Sequence, residues 1–257
     1  MAVSEWIVAV YFAALTVAAW LLHVRPARRL QASALGAAVL VTTFGAGMFA
    51  PHVVRAWAPI GFLIAGYWMP ALLVTPGTDR RFEEWLIRSD RQLRQFLPAV
   101  PRSLGHVVEL GYLLCYPLVP LSFGIVWLNG DAADVERYWL TVLLSGYACY
   151  VTLPWLVSRP PRVHRSAGAR QGALARLNAH VLGRVSHRLN TFPSGHVAVA
   201  AAAAASVATV SIPGGAALAG FVAAISIGAA AGGYHYVMDV IFGLAVAATA
   251  VAVSVVV

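Results

Sequence analysis

The sequence contains no lysine, so all 18 of its positive side chains are arginines. Charge of either sign is scarce: Asp, Glu, Lys and Arg make up 11% of the 257 residues, where a soluble domain carries about a quarter. That shortage excludes an ordinary soluble globular domain, and no segment has the composition of a separate one. Cysteine is nearly absent. Cys115 and Cys149 both fall inside apolar runs. They form no disulfide framework and no metal-ligand spacing, and read as small core residues. There is no convincing internal repeat.

What the chain has instead is apolar length: 60% of its residues are hydrophobic. Runs of roughly 20 residues, enough to cross a bilayer, recur eight times, near 4–23, 32–51, 56–76, 107–128, 137–158, 195–213, 214–233 and 236–257. Pro213-Gly214-Gly215 divides the sixth from the seventh with a tight-turn signal. The first run does not read as a signal peptide. It carries Glu5, no basic residue precedes it, and further apolar runs follow. The expected fold is all-α, a polytopic transmembrane bundle of about eight spans in one membrane domain.

The arginines are unevenly placed. Arg25, Arg28 and Arg29 follow the first run. Arg80, Arg81, Arg88, Arg91, Arg94 and Arg102 lie between the third and fourth, and Arg159, Arg162, Arg165, Arg170, Arg176, Arg184 and Arg188 between the fifth and sixth. With eight spans these loops share one face and hold sixteen arginines, against Arg55 and Arg137 on the other. The positive-inside rule makes the crowded face cytoplasmic. The basic stretches are tethered to membrane segments, so the expected partners are the bilayer and anionic lipid, with no nucleic acid. Within RRFEEWLIRSDRQLRQFL, residues Phe82, Trp85, Leu86, Leu93, Phe96 and Leu97 recur at helical spacing, which predicts an interfacial helix near 81–97. A weaker stripe of Leu174, Leu177, Val181, Val185 and Leu189 predicts a second near 172–189.

Three polar features stand at span ends on the arginine-rich face. They are Arg159-Pro160-Pro161-Arg162, Pro193-Ser194-Gly195-His196 and His235-Tyr236-Val237-Met238-Asp239. Each alone has an ordinary explanation: a charged stop, a helix cap, a local His–Asp pair. Together they hold what phosphoryl transfer requires. Arginine forks match phosphate oxygens. Backbone N–H groups at a helix start, here Ser194 and Gly195, add to the cradle. A neutral histidine can attack phosphorus, a carboxylate such as Asp239 can hold its ring, and a second histidine can protonate the leaving oxygen. An ionisable residue such as Asp239 at the edge of an apolar run is costly and functional by default.

NTFPSGH at 190–196 and YHYVMD at 234–239 resemble the second and third motifs of the type 2 phosphatidic acid phosphatase superfamily. That superfamily includes bacterial lipid phosphate and pyrophosphate phosphatases, inositol phosphorylceramide synthases and vanadium haloperoxidases. Its first motif is Lys, six residues, then Arg-Pro; here Thr152, six residues, then Arg159-Pro160 matches all but the lysine. The resemblance covers about 152–242. It implies a six-helix core over 56–257, with residues 1–55 as two accessory spans. It implies His235 as nucleophile, Asp239 as its partner, His196 as general acid, and Arg159, Ser194 and Gly195 on the phosphate. It implies no metal and no cofactor, and the sequence offers no metal-ligand cluster. The third motif of the superfamily carries Ser-Arg six positions before the histidine, where this chain has Gly228 and Ala229. The synthase-like branch often has Pro-Pro-Arg in its first motif and lacks that arginine, and Pro160-Pro161-Arg162 suits it. The missing cations are then replaced by Arg162, Arg165 or Arg188.

Two activities stay open within the resemblance. One is hydrolysis of a lipid phosphate or pyrophosphate. The other is transfer of a phospho-head group to an alcohol such as inositol. A transporter of phosphorylated lipids or anions is the reading outside it. The expected location is a bacterial inner membrane.

The charge rule and the resemblance disagree on sidedness, because many bacterial relatives act on the outer side. The arginines act directly on insertion, so a cytoplasmic site is expected. In a variant lacking Cys115 and Cys149, single cysteines replace Ser166 and Asp131. An impermeant thiol reagent on intact cells should label position 131 and spare 166; the reverse pattern places the site outside.

Overall fold

A bilayer offers no water to satisfy free backbone groups, so apolar runs of this length fold as helices. The computed structural model describes residues 1–75, 80–96, 105–164, 173–187 and 189–256. Among them are eleven α-helices: α1 (Val3–Leu21), α2 (Pro26–Phe49), α3 (His52–Leu73), α4 (Arg80–Arg94), α5 (Gly105–Leu113), α6 (Cys115–Asn129), α7 (Ala132–Tyr150), α8 (Ala173–Val185), α9 (Gly195–Val210), α10 (Ile212–Gly232) and α11 (Val237–Val256). No strand forms among the described residues; a single bridge pairs Ser158 with Asn190. The all-α expectation holds.

Helices α1, α2, α3, α10 and α11 are long and apolar enough to cross a membrane, and α5 with α6 makes a sixth if the bent pair is one span. These helices are the mark of an integral membrane protein. The bend of 52° falls at Leu114. Its cause is Pro117, which has no N–H for the Leu113 carbonyl and whose ring crowds that turn. The other two expected spans, α7 and α9, do not meet the same measure of length and apolarity. Helix α7 is 19 residues long but opens on Asp134, Glu136 and Arg137. Helix α9 has 16 residues, about 24 Å at 1.5 Å per residue. More than half of each is buried inside the bundle.

Helix α9 is central, packing on α6, α7, α10 and α11. Its alanines at 200–205 let neighbouring backbones approach closely. The first helices are tied to α7 by aromatic side chains that reach backbone carbonyls. Pro70 has no N–H to offer the Gly66 carbonyl, and Tyr11 Oη donates to that oxygen instead, at 2.9 Å. Tyr11 stacks on Tyr147 with centroids 3.9 Å apart, and Tyr147 Oη donates to Phe62 O at 3.1 Å. Trp139 Nε1 reaches Ala56 O at 2.8 Å.

The two loop helices form where expected, but they dock by unexpected faces. On α4 the buried residues are Glu83, Leu86 and Asp90. On α8 Asn178 and Leu182 are buried while Leu177 of the expected stripe is exposed. Docking contacts to the bundle, absent from a periodicity argument, choose these faces.

Helices α5 and α10 touch at glycines. A Cβ on Gly228 would lie 2.7 Å from Val108 O and Tyr112 N, both backbone atoms of α5. Backbone cannot move aside as a side chain can. Gly228→Ala should cost about 1–3 kcal/mol, read as a lower midpoint of thermal unfolding in detergent. Gly45→Ala, with nothing within 4 Å, is the control; equal midpoints would refute the close-packing account.

Candidate active site

The three polar features lie in three loops, and backbone hydrogen bonds join each loop to the other two. Asn190 N donates to Ser158 O at 2.9 Å, linking the first and second. Arg162 N donates to Gly233 O at 3.0 Å, linking the first and third. Ser194 N donates to Asp239 O at 2.9 Å, linking the second and third. Side chains reinforce the joints: Asn190 Nδ2 reaches Ser158 Oγ at 3.1 Å, and Tyr236 Oη donates to Arg159 O at 3.1 Å.

Gly233 shapes the third loop. It closes α10 in the left-handed region, at φ 74°, where glycine carries no Cβ penalty. The chain turns there, and the N–H groups of Tyr234 and His235 both reach Ala229 O at 3.0 Å. His235 therefore precedes α11, which starts at Val237. The i, i+4 spacing would put His235 and Asp239 on one helical face only if the helix began by His235, and it does not. Asp239 sits in the first turn of α11 and reaches back. Its Oδ2 accepts Tyr236 N at 2.8 Å and lies 3.3 Å from His235 Nδ1. The carboxylate thus caps its own helix and orients the ring together. With Nδ1 committed, Nε2 is the nitrogen left for substrate.

Ser194 is the N-cap of α9, its Oγ facing Val197 N at 3.5 Å. Gly195 packs so closely on the Tyr150 ring that no side chain fits there. His196 follows, with its ring centroid 5.8 Å from that of His235. Its Nδ1 is buried and has no hydrogen-bond partner among the described residues. Tyr112 flanks His196 at 5.5 Å and stacks on Tyr234 at 3.9 Å. Tyr234 Oη and Asn178 Nδ2 both donate to Glu109 Oε2, fixing this aromatic wall.

His196 also opens onto a cavity of about 370 Å³. Its walls are chiefly apolar and aromatic, including Ile64, Trp68, Tyr116, Val119 and Tyr150, and Arg184 stands among them. His187 lies beside this cavity, stacked on Tyr67 with centroids 4.4 Å apart. Burial pushes its imidazole down to about 4, which keeps it uncharged at neutral pH.

The two first-loop arginines differ. Arg162 is exposed, its guanidinium 5.0 Å from the Tyr234 ring centroid. Arg159 is half-exposed and engaged with Glu83: Nε donates to Oε1 and Nη2 to Oε2, each at 3.1 Å. His164 Nε2 lies 3.3 Å from the same carboxylate. Burial acts to raise the Glu83 carboxyl, but the Arg159 and His164 bonds outweigh it and leave it below its ordinary value. The Glu83 bonds hold the Arg159 guanidinium above its own. Arg165 and Arg188 lie outside the described residues.

Residues 80–253 match the family model described as the PAP2 superfamily. The chain belongs to the PAP2 superfamily. No curated protein and no solved structure matches it significantly. The PAP2 match begins at α4, so α1, α2 and α3 all lie before it. Both departures from the PAP2 motifs now have a physical setting. Gly228 is pressed against the α5 backbone, which leaves no room for a side chain there, and Ala229 beside it is fully buried. Thr152, in the lysine position, has its hydroxyl within hydrogen-bonding reach of Cys149 O and Phe192 O. It bridges the first and second loops where the lysine would carry charge.

The structure brings together His196, His235, Asp239, Ser194 and Gly195, with Arg159 and Arg162 on the adjoining loop. Sequence reasoning missed Glu83, Asp90 and Arg184. The signal for two of them was present: Glu83, Leu86 and Asp90 share one helical face at i, i+3 and i+7.

Proposed function

We propose that this PAP2 protein is a membrane lipid phosphatase that works through a phosphohistidine. The observation that carries the reading is the junction at His196. Two histidines converge there, one anchored by Asp239, and the other opens onto an apolar cavity that suits a lipid tail. In the first step His235 Nε2 attacks phosphorus, and the bond from phosphorus to the lipid oxygen breaks. Asp239 holds Nδ1–H and steadies the positive ring. His196 gives the departing oxygen its proton. In the second step His196 takes a proton from water, the hydroxide oxygen bonds to phosphorus, and the phosphohistidine bond breaks to release phosphate. Arg162, Arg159, and the N–H groups about Ser194 and Gly195 stabilise the equatorial oxygens. Arg188 is proposed to join them.

A phosphotransferase is the second reading. It is favoured by Pro160-Pro161-Arg162 together with Gly228 and Ala229, the pattern of the synthase-like branch. There an alcohol takes the place of water in the second step. We place the protein in a bacterial inner membrane with its site on the cytoplasmic face, on the strength of the arginine distribution.

Purified protein given phosphatidic acid should release inorganic phosphate; an alcohol acceptor such as inositol that captures the phosphoryl group instead marks the transferase. His235→Ala should abolish turnover. His196→Ala should spare substrates with good leaving groups, which need little protonation, more than poor ones. Equal losses on both would refute the general-acid role.

Arg162→Lys keeps the charge but loses the fork, and should lower turnover by about 10- to 1,000-fold. Near-normal rates on phosphatidic acid would remove Arg162 from the clamp.

A further inference from the structure

Helix α4 touches the loops of all three motifs, though the proposed chemistry gives it no task. Phe82 and Trp85 meet Phe192 of the second loop edge-on, with centroids 5.2 and 5.9 Å away. Asp90 accepts the N–H of Val237, the first residue of α11, at 3.0 Å, and Arg94 Nε at 2.6 Å. Arg94 Nη2 donates to Ala230 O near the end of α10 at 2.6 Å. Glu83 takes the first loop: it accepts Arg159 N at 2.9 Å as well as the guanidinium fork.

We propose that Glu83 is a positioning residue that sets the plane of the Arg159 guanidinium. The proposal rests on the reading of Arg159 as a phosphate ligand. A guanidinium carries five N–H groups, and Glu83 engages those at Nε and Nη2 only. With its plane pinned, the other three are oriented without further loss of side-chain freedom when phosphate arrives. That is pre-organisation of a clamp.

The opposite role, an internal anion that substrate must expel, fits the geometry poorly. The Glu83 side chain is only 6% exposed. It is held by the Arg159 backbone N–H, which a phosphate on the guanidinium would not compete for, and by His164. Its helix is anchored one turn on and beyond by buried Leu86 and Asp90. Expulsion would strand a buried carboxylate and undo a joint of the first loop.

The two roles predict effects of opposite sign. The full chain in detergent is compared as wild type, Glu83→Gln, Arg159→Lys and the double variant. Orthovanadate is the phosphate-like probe, with turnover of phosphatidic acid measured alongside. Positioning predicts a vanadate inhibition constant raised about 10- to 100-fold in Glu83→Gln, the range for losing a partner that orients a ligating group. The double variant should be no worse than Arg159→Lys. An unchanged or tighter constant in Glu83→Gln, with Arg159→Lys impaired, overturns the proposal. So does a double variant whose losses multiply. Only the monodisperse fraction on size exclusion is assayed. If Glu83→Gln does not fold, Glu83→Asp, which keeps the charge but shortens the reach, is read by the same criteria. A wild type that releases no phosphate overturns the phosphatase reading and this inference with it. A wild type that is active, with Arg159→Lys unimpaired, removes the Arg159 clamp while leaving the phosphatase reading standing.

Discussion

The bond from Ser194 N to Asp239 O holds the candidate site together. It joins the first turn of α9 to the first turn of α11, bringing His196 and His235 within 5.8 Å, centroid to centroid. Asp239 serves at both levels. Its carbonyl accepts from Ser194, while its carboxylate accepts Tyr236 N and faces the His235 ring. The approach needs space: a Cβ on Gly243 would lie 2.8 Å from Ser194 O. A loop packed among membrane helices must satisfy its backbone groups internally. The pairwise joints between the three loops meet that demand and set the geometry of the side chains.

The two histidines have distinct surroundings, and this asymmetry supports the proposed division of roles. His235 is buried, and its Nδ1 is engaged by a carboxylate. His196 has no such partner among the described residues and stands between His235 and an apolar cavity. In the proposed mechanism the anchored ring attacks, and the ring on the cavity side protonates the group leaving toward that cavity. The aromatic wall of Tyr112 and Tyr234 flanks this junction.

Motif departures that read in sequence as missing cations have a packing explanation here. Helix α10 lies against α5 at Gly228, and Gly111 is its counterpart, where a Cβ would meet Ala224 O at 2.6 Å. A side chain at position 228 would have to force these helices apart, and Ala229 beside it is fully buried. In the proposed site the first loop supplies Arg159 and Arg162 instead, one pinned by Glu83 and one resting over Tyr234. Helix α4 ties that arrangement to the bundle through an acidic buried face.

Hydrophobic run length and composition by themselves determined that the chain is a helical membrane protein, because backbone in lipid has few other ways to satisfy its hydrogen bonds. The motif residues identified the PAP2 superfamily and the His235–Asp239 pairing, since short spacing is local and legible. Other features depended on long-range contacts. Helix α7 opens on charges and α9 is short, and both are largely buried inside the bundle, which the apolar pattern alone does not reveal. The faces buried on α4 and α8 were decided by docking: Glu83 found Arg159 76 positions away, and Asn178 found Glu109 69 positions away. Periodicity records which residues share a helical face. It does not record what that face meets, and a buried carboxylate becomes tolerable only when tertiary structure brings hydrogen-bond donors to it, as Arg159 is brought to Glu83.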